Sequence, residues 1–268
     1  MSRPTSRTTG QTTSGGLGTH VSQYPGDQRL RNLGHELANT QRRIGYFGPI
    51  VHPGMSLRQA MATLDRSGGT IWFSEGIWFF RDAFTVDRNN VVFRAISPTR
   101  SKFHRVDAAS SPMITFEGAR CKLIGFEIED SPSSTAPAIQ LEGNRSSVED
   151  CYFVDGYQAV SILDAGNCRI SRNHVVSCTR EAVLITGASS RTMVDNNFFE
   201  SASIGNYDIY FGDSAIDGGA IGNNHEIGSS ETCISIKTGS DVYVDNHAAK
   251  RYLNILDATS ATCVQVRT

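Results

Sequence analysis

The sequence predicts an all-β fold of the solenoid type, in which one short unit is stacked many times along an axis. Three observations predict it. Six hexamers recur ("LIGFEI" from Leu123, "VEDCYF" from Val148, "ISRNHV" from Ile170, "VDNNFF" from Val194, "IGNNHE" from Ile221, "VDNHAA" from Val244) at spacings of 25, 22, 24, 27 and 23 residues. Between them lies an apolar-x-apolar pair: Ile114/Phe116, Ile139/Leu141, Val160/Ile162, Val183/Ile185, Ile209/Phe211 and Ile234/Ile236. Equivalent hexamer positions also carry like side chains in consecutive repeats. A period in the twenties, very short strands and no helical pattern within the repeat are what a β-solenoid requires. A sandwich would need longer strands and hairpin turns such as Asn-Gly, which are scarce here.

Taken in chain order, the first element is an arm. Thirteen of the first twenty residues are Thr, Ser or Gly, with Leu17 as the one strongly apolar residue. Such a stretch buries too little apolar surface to offset the entropy of ordering, so it needs an outside partner to be held. Residues 1–55 contain Arg3, Arg7, Arg29, Arg31, Arg42 and Arg43 against Asp27 and Glu36, a charge of +4 that leaves −6 on the rest. Residues 1–55 are therefore expected to form an extended arm and attachment region. Its six arginines are the candidate partner-binding residues, suited to forked contacts with carboxylates on an acidic protein surface.

A helix follows over 56–67. Ser56 is its N-cap, Gln59 completes a Ser-x-x-Gln capping box, and Leu57, Ala60, Met61 and Leu64 share one face before Gly68 and Gly69 end it. From Gly69 to the C-terminus the strands take over, giving a second domain over 56–268. About eight coils at ~4.8 Å each make a rod roughly 40 Å long.

The columns of the repeat add detail. Asn173, Asn197 and Asn224 occupy the fourth hexamer position in three successive repeats, between Cys151 and His247. Stacked amides at the coil spacing can hydrogen-bond to one another, so these three are the expected structural ladder. Next to them Tyr152, His174, Phe198 and His225 form an aromatic column. Cys121 and Cys168, two coils apart with Ser146 between, are too distant for a disulfide, and the six cysteines lack zinc-like spacing. They read as buried thiols. The doublet "ITFEGARCKL" and "IQLEGNRSSV" repeats Ile-x-apolar-Glu-Gly-x-Arg. It reads as two adjacent corners, with Gly118 and Gly143 making the turn and Arg120 and Arg145 neutralising the stacked Glu117 and Glu142.

The stretch "SLRQAMATLDRSGGTIWFSEGIWFF…NNVVFRAI", with its helix, Gly-Gly-Thr-Ile-x-Phe strand and asparagine ladder, resembles the opening of the pectate-lyase-like right-handed parallel β-helices. The resemblance covers about residues 56–268. It implies the fold: a right-handed parallel β-helix with an N-terminal capping helix. Neither the acidic calcium cluster and basic proton acceptor of pectate lyases nor the aspartate, histidine and Arg/Lys set of polygalacturonases can be placed here residue by residue. One carboxylate pair remains as a catalytic candidate. Glu149 and Asp195 share a hexamer column two coils apart, so their backbones should lie ~9.6 Å apart, near the upper limit for an inverting glycosidase pair.

Composition narrows the partners. Twenty-seven acids against 25 bases give a net charge of −2, which offers no bulk attraction to nucleic acid or to an anionic membrane. No secretion signal or membrane span is visible. No metal or cofactor is expected. A β-helix preceded by a polar arm is similar to bacteriophage tailspikes and head spikes or decoration proteins. That resemblance implies a homotrimer made in the host cytoplasm and located in the virion. Its arm would hold the major capsid protein or another virion protein, so that the spike decorates or cements the capsid or the tail; an alternative is a tailspike adhesin whose rod holds a host surface glycan. The competing expectation is a carbohydrate-active enzyme, either a polysaccharide lyase or a glycoside hydrolase.

Overall fold

A computed structural model describes residues 48–200, 208–212 and 217–227, together with the strands 234–236, 240–245, 253–255 and 264–267. Residues 1–47 of the arm with its six arginines, and also Cys233, His247 and Cys263, lie outside the described residues.

The described strands form three sheets, and every pairing between strands is parallel. Sheet 1 has ten strands, from Ile50–Val51 and Gly69–Phe73 through Val91–Ala95, Lys122–Ile124, Ser147–Glu149, Arg169–Ser171 and Ser190–Asp195 to Val264–Arg267. Sheet 2 has seven, running from Gly76–Phe79 through Ser101–His104, Glu127–Glu129, Tyr152–Val154, His174–Val176 and Phe198–Glu200 to His225–Ile227. Sheet 3 has eight, beginning with Phe84–Val86, Ile114–Phe116, Pro137–Leu141 and Gln158–Leu163 and ending with Leu253–Ile255. From Gly69 to Ile236 the described strands visit the sheets in the cyclic order 1, 2, 3, so each circuit is one coil of a parallel solenoid.

The registers follow the repeat. Leu123, Val148, Ile170, Val194, Ile221 and Val244 pair in succession in sheet 1. Ile114, Ile139, Val160, Val183, Ile209 and Ile234 do the same in sheet 3. Each hexamer is therefore not one strand. Each of the first five ends a sheet 1 strand, turns a two-residue corner and begins a sheet 2 strand; of the sixth only Val244 and Asp245 are among the described residues. The third hexamer residue takes the left-handed turn, with positive φ at Gly125, Asp150, Arg172, Asn196 and Asn223. Other corners are less uniform. Between sheets 2 and 3 the link ranges from 155–157 to 105–113.

The core is the inside of the coil. Near its N-terminal end Phe73 packs edge-on against Trp78, Phe103 and Phe126, and Phe103 stacks on Phe126 at 4.2 Å. Further along, Val148, Val160, Ile162, Ile170 and Val183 fill the interior. Cys121, Cys151, Cys168 and Cys178 are free and buried. Burial pushes all four thiols up, Cys151 and Cys178 to about 12, so they pack as apolar groups.

The helix is shorter than its sequence pattern. It spans Leu57–Ala62, and Ser56 Oγ accepts from the Gln59 N–H as expected of the N-cap. At its end the turn tightens, with Thr63 and Leu64 N–H bonded to Ala60 O and Met61 O, and Arg88 Nη1 caps Met61 O and Leu64 O, both at 2.9 Å. An Asp65–Gly68 bridge then turns the chain into sheet 1. The β-helix unit begins at residue 48, ahead of the boundary expected at residue 55. Ile50 and Val51 pair with Trp72 and Phe73, so the sheet starts ahead of the helix.

Candidate functional site

Three groups of residues were singled out as sites or columns, and the coils place each on a definite surface. The asparagines lie inside the corner between sheets 1 and 2. Asn173 Nδ2 donates to Asn197 Oδ1 at 3.0 Å, and Asn197 Nδ2 to Asn224 Oδ1 at 2.9 Å. The same oxygens accept the backbone N–H of Asn173 and Asn197, and Asn173 Oδ1 takes that of Cys151. Each Nδ2 also donates to a carbonyl one coil back: Val148, Ile170 or Val194. A side chain with two donors and an acceptor oxygen suits a corner whose backbone cannot pair with itself. This group is structural.

Glu149 and Asp195 do share a column of sheet 1, with Ser171 between them in register. Both carboxylates are already occupied. Arg169 Nε and Nη2 donate to Asp195 at 2.9 and 2.7 Å, and Asn196 Nδ2 adds a third bond. Glu149 accepts from Ser147 Oγ at 2.7 Å and from Arg172 Nη2 at 3.0 Å, with Lys122 Nζ at 3.5 Å. Burial alone would raise the Glu149 carboxyl. The bonds from Ser147 and Arg172 and the charges of Lys122 and Arg172 outweigh it and hold the group below the ordinary carboxylate range. A glycosidase acid needs the opposite shift, toward neutrality. The column is a ladder of ion pairs between coils rather than an acid and a base facing a substrate.

The outer face of sheet 2 has another character. One column runs Ile77, Lys102, Glu127, Tyr152, His174, Phe198, His225, and the next runs Phe79, His104, Glu129, Val154, Val176, Glu200. The Tyr152 and His174 rings meet edge-on at 4.8 Å, His174 and Phe198 at 4.7 Å, and Phe198 stacks on His225 at 5.2 Å. Phe79 is 69% exposed and lies edge-on to His104. Charged groups frame the rings. Lys102 bridges Glu127 and Glu129, and His174 Nε2 lies 3.1 Å from Glu200 Oε2. The hydrogen bond from Lys102 holds the Glu129 carboxyl low, against the opposing effect of burial. This is a wet surface of half-exposed rings edged by carboxylates, able to stack on flat apolar faces and to accept hydrogen bonds from hydroxyls. The sequence showed the aromatic column. The flanking column was hidden, because its residues lie two positions further on and follow no single chemistry.

The Glu-Gly-x-Arg corners differ from expectation. Gly118 and Gly143 are not left-handed. They are glycine because a Cβ at Gly143 would come within 1.9 Å of the Gly118 carbonyl, and one at Gly118 within 2.1 Å of the Arg88 carbonyl. The left-handed residues are Arg120 and Arg145, with φ of 60° and 63°. Among the described residues neither arginine forms an ion pair with Glu117 or Glu142. Glu142 accepts instead from Gln140 Nε2, and Glu117 lines a different depression from Arg120.

Among the described residues no group of three or more His, Cys, Asp or Glu could hold a metal ion, and no helix is long and apolar enough to cross a membrane. The model of the right-handed beta helix region matches residues 67–199 and 99–249. No curated protein sequence matches the chain significantly. Solved structures share the fold at low identity. Pectin methylesterase PemA from Erwinia chrysanthemi is 14% identical, with 83% of this chain and 93% of that one covered and a TM-score of 0.52. A GH87 alpha-1,3-glucanase catalytic domain solved with nigerose is 12% identical over 74% of this chain and 38% of its own, with a TM-score of 0.54. A PL6 family polysaccharide lyase from Pseudopedobacter saltans is 14% identical over 74% and 62%, with a TM-score of 0.50.

Proposed function

We propose, on the premise that the chain belongs to the right-handed β-helix family, that it is a short bacteriophage spike whose rod holds a host surface glycan without cleaving it. The observation that carries this reading is the outer face of sheet 2, with its half-exposed rings at the coil spacing and carboxylates beside them. Sugar rings present apolar faces that stack on aromatics and hydroxyl edges that donate to carboxylates, and both partners are offered on one surface. A pectin methylesterase of the same fold has been solved with a hexasaccharide, which makes an oligosaccharide a reasonable occupant of such a rod. The ion-paired state of Glu149 and Asp195 disfavours hydrolysis at that column.

Residues 1–47 would attach the spike to the major capsid protein or another virion protein, and three copies would associate as a homotrimer. The support for this part is the Thr, Ser, Gly and Arg composition of the arm. The full chain should bind one class of host surface polysaccharide on a glycan array, and Phe198→Ala and His174→Ala should each weaken it about tenfold while the β-type circular dichroism is kept. Release of reducing ends or unsaturated products would overturn the non-catalytic reading. Deleting residues 1–30 should abolish co-purification with particles. Particles still decorated by the truncated chain would overturn the attachment reading.

A further inference from the structure

The corner between sheets 3 and 1 holds an open groove of about 500 Å³ lined by Asn89, Arg120, Asn144, Arg145, Asn167 and Ser190, among others. Its chemistry is one-sided. No carboxylate lines it, and among the described residues the guanidinium groups of Arg120 and Arg145 carry neither an ion pair nor a hydrogen bond. The two arginines occupy equivalent positions in adjacent coils, because Arg120 N–H donates to Asn144 O just as Arg145 N–H donates to Gly166 O. Like charges are thus stacked about one strand spacing apart, ~4.8 Å at the backbone. The flanking amides sharpen the bias. Asn89 Oδ1 is used by the Ala119 N–H and Asn144 Oδ1 by the Gly166 N–H, which leaves the amide NH₂ groups as donors. By contrast, Arg169 and Arg172 on sheet 1 and its corner with sheet 2 are neutralised by carboxylates.

We infer that this groove is an oxoanion site for an acidic polysaccharide, taking carboxylate or sulfate groups of nearby sugars on Arg120 and Arg145 in a chain that runs along the rod. Two repeated guanidinium forks recognise two repeated oxoanions, and the asparagine amides supply further donors. A nucleic acid fits less well, since the groove has no aromatic platform and only a short basic track. The site lies at a different corner from the ring surface of sheet 2 and does not depend on it.

The test uses the full chain and defined polymers. Polygalacturonate and chondroitin sulfate should bind at low salt and weaken as salt rises, while neutral dextran should not bind. Arg120→Asn with Arg145→Asn is the variant of choice, because asparagine tolerates the left-handed backbone at both positions. It should weaken the acidic polymers about tenfold or more, with unchanged circular dichroism. Glu117→Gln, outside the groove, should bind as the parent does. Equal binding by the double variant, equal binding of dextran, or preferential binding of a single-stranded oligonucleotide lost in the double variant would each overturn the inference. Phe198→Ala bears on the ring surface alone, so the two sites fail or stand separately.

Discussion

Asn197→Ala removes the middle rung of the ladder, and its cost can be worked from the bonds. The side chain donates to Ile170 O and Asn224 Oδ1 and accepts from the N–H and Nδ2 of Asn173. Three of the four partners keep a bond. Asn173 Nδ2 still reaches Val148 O, Asn224 Oδ1 still accepts the residue 197 N–H, and the Ile170 carbonyl stays in the parallel ladder with the Ser190–Asp195 strand. The Asn173 N–H is orphaned in a buried corner. At ~1–3 kcal/mol for one orphaned group, the loss is about 2 kcal/mol. That corresponds to about 4–8 °C in Tm. Guanidinium unfolding measures it, and hydrogen exchange at the Asn173 amide locates it. Asn196→Gly is the control. It lies one residue away in the same corner, is exposed with φ of 57°, and should change stability by less than about 1 kcal/mol. A loss below about 1 kcal/mol in Asn197→Ala, or an Asn173 amide still protected, would refute the ladder as a stabilising device.

Gly143→Ala should prevent folding or cost several kcal/mol, because its Cβ meets a backbone carbonyl at 1.9 Å; Gly125→Ala, whose nearest neighbour is Ala95 Cβ at 3.5 Å, should cost only about 1–2 kcal/mol of left-handed strain. Soluble yield and unfolding midpoints compare them. Arg105→Met should cost about 3–5 kcal/mol, since Arg105 makes two bonds to the buried Asp130 at 2.7 and 2.6 Å. Adding Asp130→Leu should recover part of that loss in the same denaturation assay. The carboxyls of Glu129 and Glu149 are held low in the folded chain, so they contribute stability above their unfolded pKa of about 4.3. That contribution is lost as pH falls through the lower folded values. Midpoints measured between pH 7 and 3 should fall less steeply in Glu129→Gln and Glu149→Gln; an unchanged slope would contradict the sign.

The registers of sheets 1 and 3 were legible because a solenoid writes its pairing as a fixed offset. Once Val148 is aligned on Leu123, each later pair follows. Asn173, Asn197 and Asn224 were legible for the same reason, since a column of identical amides has few other uses. The short helix was less so. Its last carbonyls are capped by Arg88, more than twenty residues downstream, which no local signal at Ala62 announces. The corners were harder. Asp150, Asn196 and Asn223 are residue types that accept the left-handed region, but Arg120 and Arg145 are not, so the tight glycine beside them looked like the turning residue. The carboxylate pair was placed correctly in its column. Its occupation by Arg169 and Arg172 depends on how long side chains reach across a coil, which spacing does not record.

The uneven corners of the coil have a consequence for how such a chain changes over time. Between sheets 1 and 2 most links are two-residue turns, and from Asn173 to Asn224 they are locked by the left-handed residue and the asparagine stack, while the link at 96–100 is longer. Between sheets 2 and 3 the link varies from 155–157 to 105–113 with no change in the pairing on either side. Along the laddered coils, one edge of the rod therefore accommodates insertion more readily than the other. New loops, and with them new specificities, can accumulate along that edge while the pitch of the scaffold stays constant.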